Sequence, residues 1–397
     1  MNRKDVTYNT PKRVDFLPFN QYSFDEHEKS AVLEVLESSW ITTGPKTKQF
    51  EREFAEYIGC KHAIALNSCT AGLHLSLLAN NIGIGDEVIV PDITFTSTAN
   101  VVVHTGATPI IVDVDPETLN IDPQKIEEHI TKNTKAIIPV HLAGQPCDMD
   151  SINKIADKYN LVVIEDAAHA TESFYKGKKV GNMSQLTAFS FYATKNITTA
   201  EGGMLTTNDD QLAEKIRILS LHGLSKDAWK RYSNEGYKHY DVVCAGYKYN
   251  MTDIQSALGI EQLKKIDKFA DKRKEHKKTY DQLLSNVPEI TFIKEIDDIV
   301  HARHLYMVML DMTKLKVTRD QIMDMMIQQN IGVSVHFMPL HLHTYYKERF
   351  NLLPENFPVA TKASKSLLSL PFYPNLKEED IIYVCYKLRD IIEEFKI

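Results

Sequence analysis

The chain has 397 residues, of which 43% are hydrophobic and 25% charged, as in ordinary soluble globular proteins. Its net charge of -7 argues against a nucleic-acid surface, which needs a clustered excess of lysine and arginine. The longest basic stretch, 272–278, contains Glu275 and His276 and follows Asp271, so we interpret it as a solvated helix face.

Cysteine usage and hydropathy limit the compartment and the kind of site. Five scattered cysteines form no CxxC pair, which indicates neither a disulfide framework nor a zinc site. The N-terminus lacks the apolar core of a secretory signal, and no apolar run approaches the ~20 residues of a membrane span. We therefore expect a cytoplasmic protein with no bound metal, no nucleic-acid partner and no membrane contact.

The first two thirds of the chain alternate between strand and helix patterns. Residues 1–20 predict an extended arm, and helical spacing follows at 25–39 and 48–58. Strand patterns then occur at 62–67, 87–91, 108–114, 135–140, 161–166, 187–192 and 202–207. The segments between them fit helices, at 68–78, 97–105, 123–130 and 149–159. This alternation predicts a large α/β domain over 21–250 whose central sheet is mostly parallel.

The last third predicts a linking helix and a smaller domain. A long helical pattern begins at Thr252, whose hydroxyl suits an N-cap, and we expect one helix over 251–285. Residues 286–397 mix helices with strand patterns at 304–310 and 333–337. They predict a C-terminal α+β domain.

Asp166 and His169 lie where a ligand is expected in a parallel α/β sheet, beyond the carboxyl end of a strand. Asp166 ends the apolar run LVVIED, so it could merely cap the next helix. As a functional carboxylate it would pair with a pyridine nitrogen and favour the protonated ring, the electron sink of pyridoxal phosphate (PLP) chemistry. His169 could then reach the ring hydroxyl, and the alternative is a packing role.

Lys195 is the candidate catalytic residue. It follows a strand that carries Phe189, Phe191 and Tyr192, and it precedes the small, glycine-rich segment ITTAEGGM. Surface lysine is the ordinary alternative. A tight, partly desolvated turn would instead lower the pKa of the amine and permit Schiff-base chemistry.

The segment NSCTAGLH (67–74) joins a strand to a helix through small residues and suits a phosphate, because the first amides of a helix lack helical partners. Thr70 and Ala71 would offer main-chain donors and Ser190 a hydroxyl. A plain N-cap is the alternative. Phe95 could stack on a planar cofactor or lie in the core.

Taken together, these segments resemble the sugar aminotransferases of the DegT/DnrJ/StrS family, which are fold-type I PLP enzymes. The resemblance runs from about Phe16 to the C-terminus and includes HFMPLH and SLPFYP. It is carried chiefly by EDAAHA, FSFYATKNITTAEGGM, GYKYNMTDIQSALG and WITTGPKTKQFE. Within the family, the likeness is to enzymes of UDP-4-amino-4-deoxy-L-arabinose formation and of spore-coat polysaccharide synthesis.

The resemblance implies a role for each matched position in this sequence. Lys195 would bind PLP covalently, Asp166 would pair with the ring nitrogen, and His169 would contact the ring hydroxyl. Phe95 would stack on the ring. The phosphate would be held by Thr70, Ala71 and Ser190.

The resemblance also implies a homodimer with shared active sites. Many family members have GYNYRM where this chain has GYKYNM, so the phosphate contact from the neighbouring subunit would fall to Asn250, with Lys248 as the alternative. Lys46, His336 and His341 are candidate substrate contacts. For each of them a structural role is about equally expected.

The implied reaction is a ping-pong transfer of the amino group from L-glutamate to a nucleotide-linked keto-sugar. Overall similarity favours a UDP-linked 4-ketone, and amination of a 3-keto-sugar is the alternative. A sugar dehydratase is disfavoured, since those relatives have histidine in place of the lysine. A PLP-binding regulator without catalysis is the non-enzymatic alternative.

Overall fold

A computed structural model describes residues 12–225 and 241–397. The first 11 residues of the predicted arm, and residues 226–240 of the predicted large domain, lie outside the described residues. In the described part, residue 17 forms an isolated parallel bridge with residue 331, so the arm is attached to the C-terminal domain.

The described strands are β1 (His62–Leu66), β2 (Glu87–Pro91), β3 (Thr108–Val112), β4 (Thr134–Ile137), β5 (Val162–Asp166), β6 (Phe174–Tyr175), β7 (Lys178–Lys179), β8 (Leu186–Ser190), β9 (Gly203–Thr207), β10 (Ile290–Phe292), β11 (Ile299–Val300), β12 (Tyr306–Leu310) and β13 (Leu367–Leu370). The described helices are α1 (Glu26–Glu37), α2 (Pro45–Ile58), α3 (Cys69–Ala79), α4 (Ser97–His104), α5 (Pro123–Glu128), α6 (Met149–Tyr159), α7 (Asp210–Ser220), α8 (Asp253–Leu263), α9 (Ile266–Leu284), α10 (Arg319–Gln328), α11 (Thr344–Phe350), α12 (Pro358–Ser366) and α13 (Glu378–Phe395).

Within the described chain, seven strands form the large sheet in the order β1-β9-β8-β5-β4-β2-β3. Only β9 is antiparallel to its neighbours, β1 and β8. All seven strands match predicted ones within a few residues, because their apolar runs are buried on both faces as a mostly parallel sheet requires. Helix α3 packs on one face of the sheet, and its residues contribute to the largest hydrophobic core.

The smaller C-terminal sheet is antiparallel, in the order β10-β12-β13. Side chains of α9, α10 and α13 complete a second core around it. This core and the sheet agree with the predicted α+β architecture. In contrast, residues 340–363 pack into the core of the large sheet, although the sequence places them within the small domain.

Two predicted elements differ in the structure. The single helix over 251–285 is two helices, since the turn at 264–265 tightens: Lys265 N–H donates to Gln262, three residues back. The first helix packs on α1 and α2, and the second on α13. The predicted strand 333–337 is only a bridge between Ser334 and Ser369, because the following residues turn away to pack around the site described below.

Candidate active site

The carboxyl edge of the large sheet brings the main candidate residues together. Asp166 ends β5 and Ser190 ends β8, and these strands are parallel neighbours with Asp166 opposite Ala188. Lys195 lies in the turn that leaves β8, and its N–H donates to the carbonyl of Tyr192. Because parallel strands end at one edge, residues 29 positions apart face the same cleft.

Asp166 is a buried carboxylate with several donors. Its Oδ2 accepts a hydrogen bond from the hydroxyl of Thr98 at 2.9 Å, and its Oδ1 accepts from the N–H of Ala168 at 3.2 Å. The thiol of Cys69 lies 3.8 Å from Oδ1. Burial raises the pKa of Asp166, while these hydrogen bonds and the positive charge of Lys195 oppose the rise.

The Lys195 side chain is half-buried. Loss of water around the amine lowers its pKa to about 8, although the neighbouring Cys69 and Asp166 side chains oppose the shift. An amine with that pKa is partly neutral near pH 7–8, so it can act as a nucleophile and as a base.

His169 is held as a neutral imidazole with one tautomer. Its Nδ1 accepts a hydrogen bond from the N–H of Ala143 at 3.2 Å, which leaves Nε2 as the nitrogen that carries the proton. Burial and the nearby charge of Lys195 lower the pKa of His169 well below its usual value. The ring can therefore donate a hydrogen bond from Nε2 to an oxygen in the cleft.

The start of α3 lies at the same edge, and glycine permits its close approach to β9. A side chain at Gly203 would place Cβ 2.3 Å from the carbonyl carbon of Ser68 and 2.5 Å from the nitrogen of Cys69. Ser68 caps the helix, and its hydroxyl accepts from the N–H of Ala71 at 3.1 Å. The main-chain donor predicted at Ala71 is thus already used by the cap, while Thr70 lies in the first turn, where amides lack helical partners.

Aromatic rings form one wall of the cleft. Phe95 is exposed and lies 5.9 Å from the ring of Phe337, which in turn stacks 5.8 Å from His169. His336 stacks on Phe19, and its Nδ1 lies 3.0 Å from the hydroxyl of Ser369. Burial and the charge of Lys195 lower the pKa of His336 to about 4, so its ring is neutral near pH 7.

The structure does not favour a substrate role for His341, because both of its ring nitrogens are used inside the protein. Nδ1 lies 2.5 Å from the carboxylate of Asp92, and Nε2 lies 3.0 Å from the hydroxyl of Thr361. The buried ring also stacks on Phe357. Of the two interpretations of this residue, packing is the one that the contacts support.

Lys46 lies in the first turn of α2 and is paired elsewhere. Its amine lies 3.0 Å from Glu34 of α1, and its backbone N–H donates to Asp253. No contact of its side chain with Lys195 or Asp166 occurs in the described part of the chain. A substrate contact within this subunit is therefore not supported.

Asn250 and Lys248 are neighbours at the amino side of α8. The Lys248 amine donates to Asn250 Oδ1 at 2.6 Å, and the Asn250 amide donates to the hydroxyl of Thr43 at 2.6 Å. Asn250 also lines a surface cavity of about 670 Å³ with residues of α2 and α7. Asn250 and Lys248, the two candidates for a cross-subunit contact, are thus hydrogen-bonded to each other.

Sequence reasoning missed three polar residues at or behind the cleft: Thr98, Asn196 and His304. Thr98 bonds Asp166, and Asn196 lies 2.9 Å from His304, whose ring contacts His169. Thr98 and His304 stand within segments interpreted only as a helix start and a strand. The position of Asn196 directly after Lys195 was the one available signal.

A phosphorylated pyridine aldehyde fits these residues. Lys195 supplies the amine for the aldehyde, Asp166 supplies a buried carboxylate for the ring nitrogen, and the first turn of α3 supplies main-chain amides for an anion. Fold and site together define the class of α/β enzymes that use PLP. In the described chain, no group of three or more ligating side chains could hold a metal ion, and no helix has the length and apolarity to cross a bilayer.

Comparisons with known proteins identify the family. The profile of the DegT/DnrJ/EryC1/StrS aminotransferase family matches residues 23–389. The spore coat polysaccharide biosynthesis protein SpsC of Bacillus subtilis is 49% identical over 383 residues, covering 96% of this chain and 98% of SpsC.

Solved structures agree over nearly the whole chain. Helicobacter pylori PseC, an aminotransferase involved in the biosynthesis of pseudoaminic acid, has a TM-score of 0.89 at 32% identity and covers 96% of this chain and 100% of its own. Streptococcus pneumoniae Spr1654, provisionally described as a sugar aminotransferase, has been solved in PLP and PMP forms. Its PLP form has a TM-score of 0.88 at 34% identity, covering 96% of this chain and 99% of its own.

The chain belongs to the DegT/DnrJ/EryC1/StrS aminotransferase family. The predicted family, the fold-type I architecture and the predicted class of enzyme, a PLP-dependent sugar aminotransferase, are confirmed.

Proposed function

We propose that the protein transfers the amino group of L-glutamate to a UDP-linked 4-keto-sugar and so forms a 4-amino sugar for cell-surface polysaccharide or glycan synthesis. The observation that carries an amino transfer is that Lys195 and the buried carboxylate of Asp166 follow neighbouring parallel strands to the same edge of the sheet. The 4-keto position and the UDP group are supported by the similarity of the EDAAHA and GYKYN segments to the arabinose enzyme.

Bound PLP supplies an aldehyde for covalent attachment of amines and a ring that withdraws electrons. Lys195 would hold it through its amine and, when that amine is free, would take the proton from the α-carbon of L-glutamate. Its pKa near 8 suits this role, because a base is most effective when its pKa lies near the working pH. In the second stage the same amine returns a proton at the sugar carbon.

The other residues bind and orient. Asp166 keeps a negative charge beside the ring nitrogen, with Thr98 and Ala168 holding the carboxylate in place. His169 would donate from Nε2 to the ring hydroxyl, and Phe95 would cover the ring. Ser190 and the amide of Thr70 would hold the phosphate, with Ala71 contributing if its bond to Ser68 is exchanged.

A homodimer with shared sites is part of the proposal. Asn250 is the residue that would reach the partner's phosphate, and its side chain is held by Lys248 and Thr43. His336 remains the proposed substrate contact, since it lies within the field of Lys195.

The test is a substrate panel. The purified enzyme, with PLP and L-glutamate, is incubated with UDP- and dTDP-linked 4-keto and 3-keto sugars, and amino-sugar nucleotide and 2-oxoglutarate are quantified. We expect the highest kcat/KM with a UDP-linked 4-ketone. A preference for 3-ketones or for dTDP would overturn the substrate assignment, while no turnover of L-glutamate with any of these sugars would overturn the proposed amino transfer.

A further inference from the structure

A chain of buried polar groups extends from His169 away from the cleft. The ring of His304 contacts that of His169, with centroids 4.3 Å apart and an interplanar angle of 34°. The backbone N–H of His304 donates to the carbonyl of Ala143, the residue whose own N–H binds His169 Nδ1. Ala143 therefore binds both histidines, through the ring of His169 and the backbone of His304.

Asn196 determines which ring nitrogen of His304 carries the proton. Its amide Nδ2 lies 2.8 Å from both carboxylate oxygens of Glu172 and 3.0 Å from the carbonyl of Ala302. Since all three are acceptors, the NH₂ group must face them, and Oδ1 must face His304 at 2.9 Å. An amide oxygen only accepts, so His304 carries its proton on Nδ1.

Glu172 is a buried acid that a plain core does not explain. Burial raises its pKa to about 7, and the positive charge of Arg273 is the largest opposing effect. Arg273 lies in the basic stretch 272–278, which we interpret from the sequence as a solvated helix face. In the structure Arg273 is only 1% exposed. A buried acid and a buried cation are costly to retain, which favours a specific role for the pair.

We propose that Glu172, Asn196 and His304 are positioning residues, which hold the ring plane of His169 beside Lys195, while the N–H of Ala143 keeps that ring in its Nε2–H form. Glu172 orients the amide of Asn196, the amide fixes the tautomer and plane of His304, and the His304 ring restricts rotation of His169. This inference rests on the proposed function in one respect only, namely the identity of the oxygen to which His169 donates.

The test compares Asn196→Ala, Glu172→Gln and a matched control, Gln262→Ala, in the PLP-loaded enzyme. Gln262 is also a buried amide with three hydrogen bonds, to Ser23, Glu28 and Thr198, but it lies in α8. Protein labelled with ¹⁵N-histidine reports the tautomers of His169 and His304 by NMR, with His→Gln variants for assignment. PLP affinity is measured in parallel.

In Asn196→Ala we expect the single Nδ1–H signal of His304 to give way to a mixture of tautomers and PLP to bind roughly tenfold more weakly, as for loss of one buried hydrogen bond. In Glu172→Gln the remaining amide oxygen still accepts from Asn196, so the His304 tautomer is expected to persist. Gln262→Ala is expected to lower the melting temperature without changing either histidine.

Unchanged histidine signals and unchanged PLP affinity in Asn196→Ala would overturn the proposal, as would an equal change in Gln262→Ala. Because the tautomers are read without any sugar substrate, these outcomes are independent of the substrate panel.

Discussion

Two buried aspartates stand at the same edge of the large sheet and have different surroundings. Asp92 follows β2 and Asp166 ends β5, and burial raises the pKa of both carboxyl groups. Asp92 receives the backbone N–H and ring Nδ1 of His341. Asp166 instead receives a hydroxyl and an amide, and it acts on the amine of Lys195.

The comparison shows that position at a strand end does not by itself make a catalytic carboxylate. In the Asp92–His341 pair both ring nitrogens of the histidine have partners inside the protein, since the second nitrogen bonds Thr361, and the ring stacks on Phe357. It joins residues 340–363 to the large sheet. Asp166 differs because its neighbour is an amine whose pKa burial brings near neutrality.

The largest effect is expected from Lys195→Ala, which removes the amine that distinguishes the Asp166 region. Loss of both the covalent anchor and the base should reduce turnover by about 10⁴-fold or more. The measurement is amino-sugar formation, together with borohydride fixation of PLP and peptide mapping. Lys158→Ala on the surface of α6 is the control; appreciable transamination by Lys195→Ala, or fixation at another lysine, would refute the assignment.

Exchanging each aspartate for asparagine tests the comparison directly. Asp166→Asn removes the charge beside the ring nitrogen, and we expect kcat to fall roughly 10²–10³-fold, the range for loss of one preorganised electrostatic contact. Asp92→Asn should instead lower the unfolding free energy by about 1–3 kcal/mol, since it weakens a buried charge-assisted hydrogen bond. Kinetics and thermal unfolding of both variants separate the two roles, and equal activity losses would contradict the distinction.

Titration of Lys195 tests whether the amine beside Asp166 has the lowered pKa that distinguishes this region from that of Asp92. In cofactor-free protein, reductive methylation followed by mass spectrometry should give a midpoint near pH 8 for Lys195. Lys158 should titrate above 10.5, because its bond to Glu127 raises its pKa. Since the folded pKa is lowered, the folded protein loses this proton first, and the unfolding free energy should rise with pH between about 8 and 10.5.

Asp166→Asn should lower the midpoint of Lys195 further, because the carboxylate favours the charged amine, whereas Asp92→Asn should leave it unchanged. A midpoint near 10.5 in the unsubstituted protein would remove the argument for a desolvated amine.

The smallest effect is expected from Lys46→Ala. This substitution removes a partly exposed ion pair with Glu34, whereas both aspartates are buried. Such pairs contribute about 0–1 kcal/mol, so stability and kcat should change little. A large rise in KM for the nucleotide sugar would show that Lys46 serves the site, for example in a partner subunit.

Much of the fold was predictable because periodicity reports burial locally. The seven strands of the large sheet stand as buried apolar runs, and Thr252 begins α8 with a capping box, as its hydroxyl indicates. The break at 264–265 was not predictable, since an apolar stripe continues through it. The strand expected at 333–337 is reduced to a bridge at Ser334, because Val333 packs on the core of the small domain and Phe337 on the core of the large sheet.

The class of fold, the family, and the lysine and aspartate on which the proposed chemistry depends were predictable from short segments of sequence, because each is a local pattern. The partners of the polar residues, in contrast, became known only from the folded chain. Thr98 meets Asp166 across 68 positions and His341 meets Asp92 across 249, and hydrogen bonds over such separations leave no periodic trace. Thus the pairing of His341 with Asp92, like the contacts of Asn196 and His304, emerged only in the folded chain.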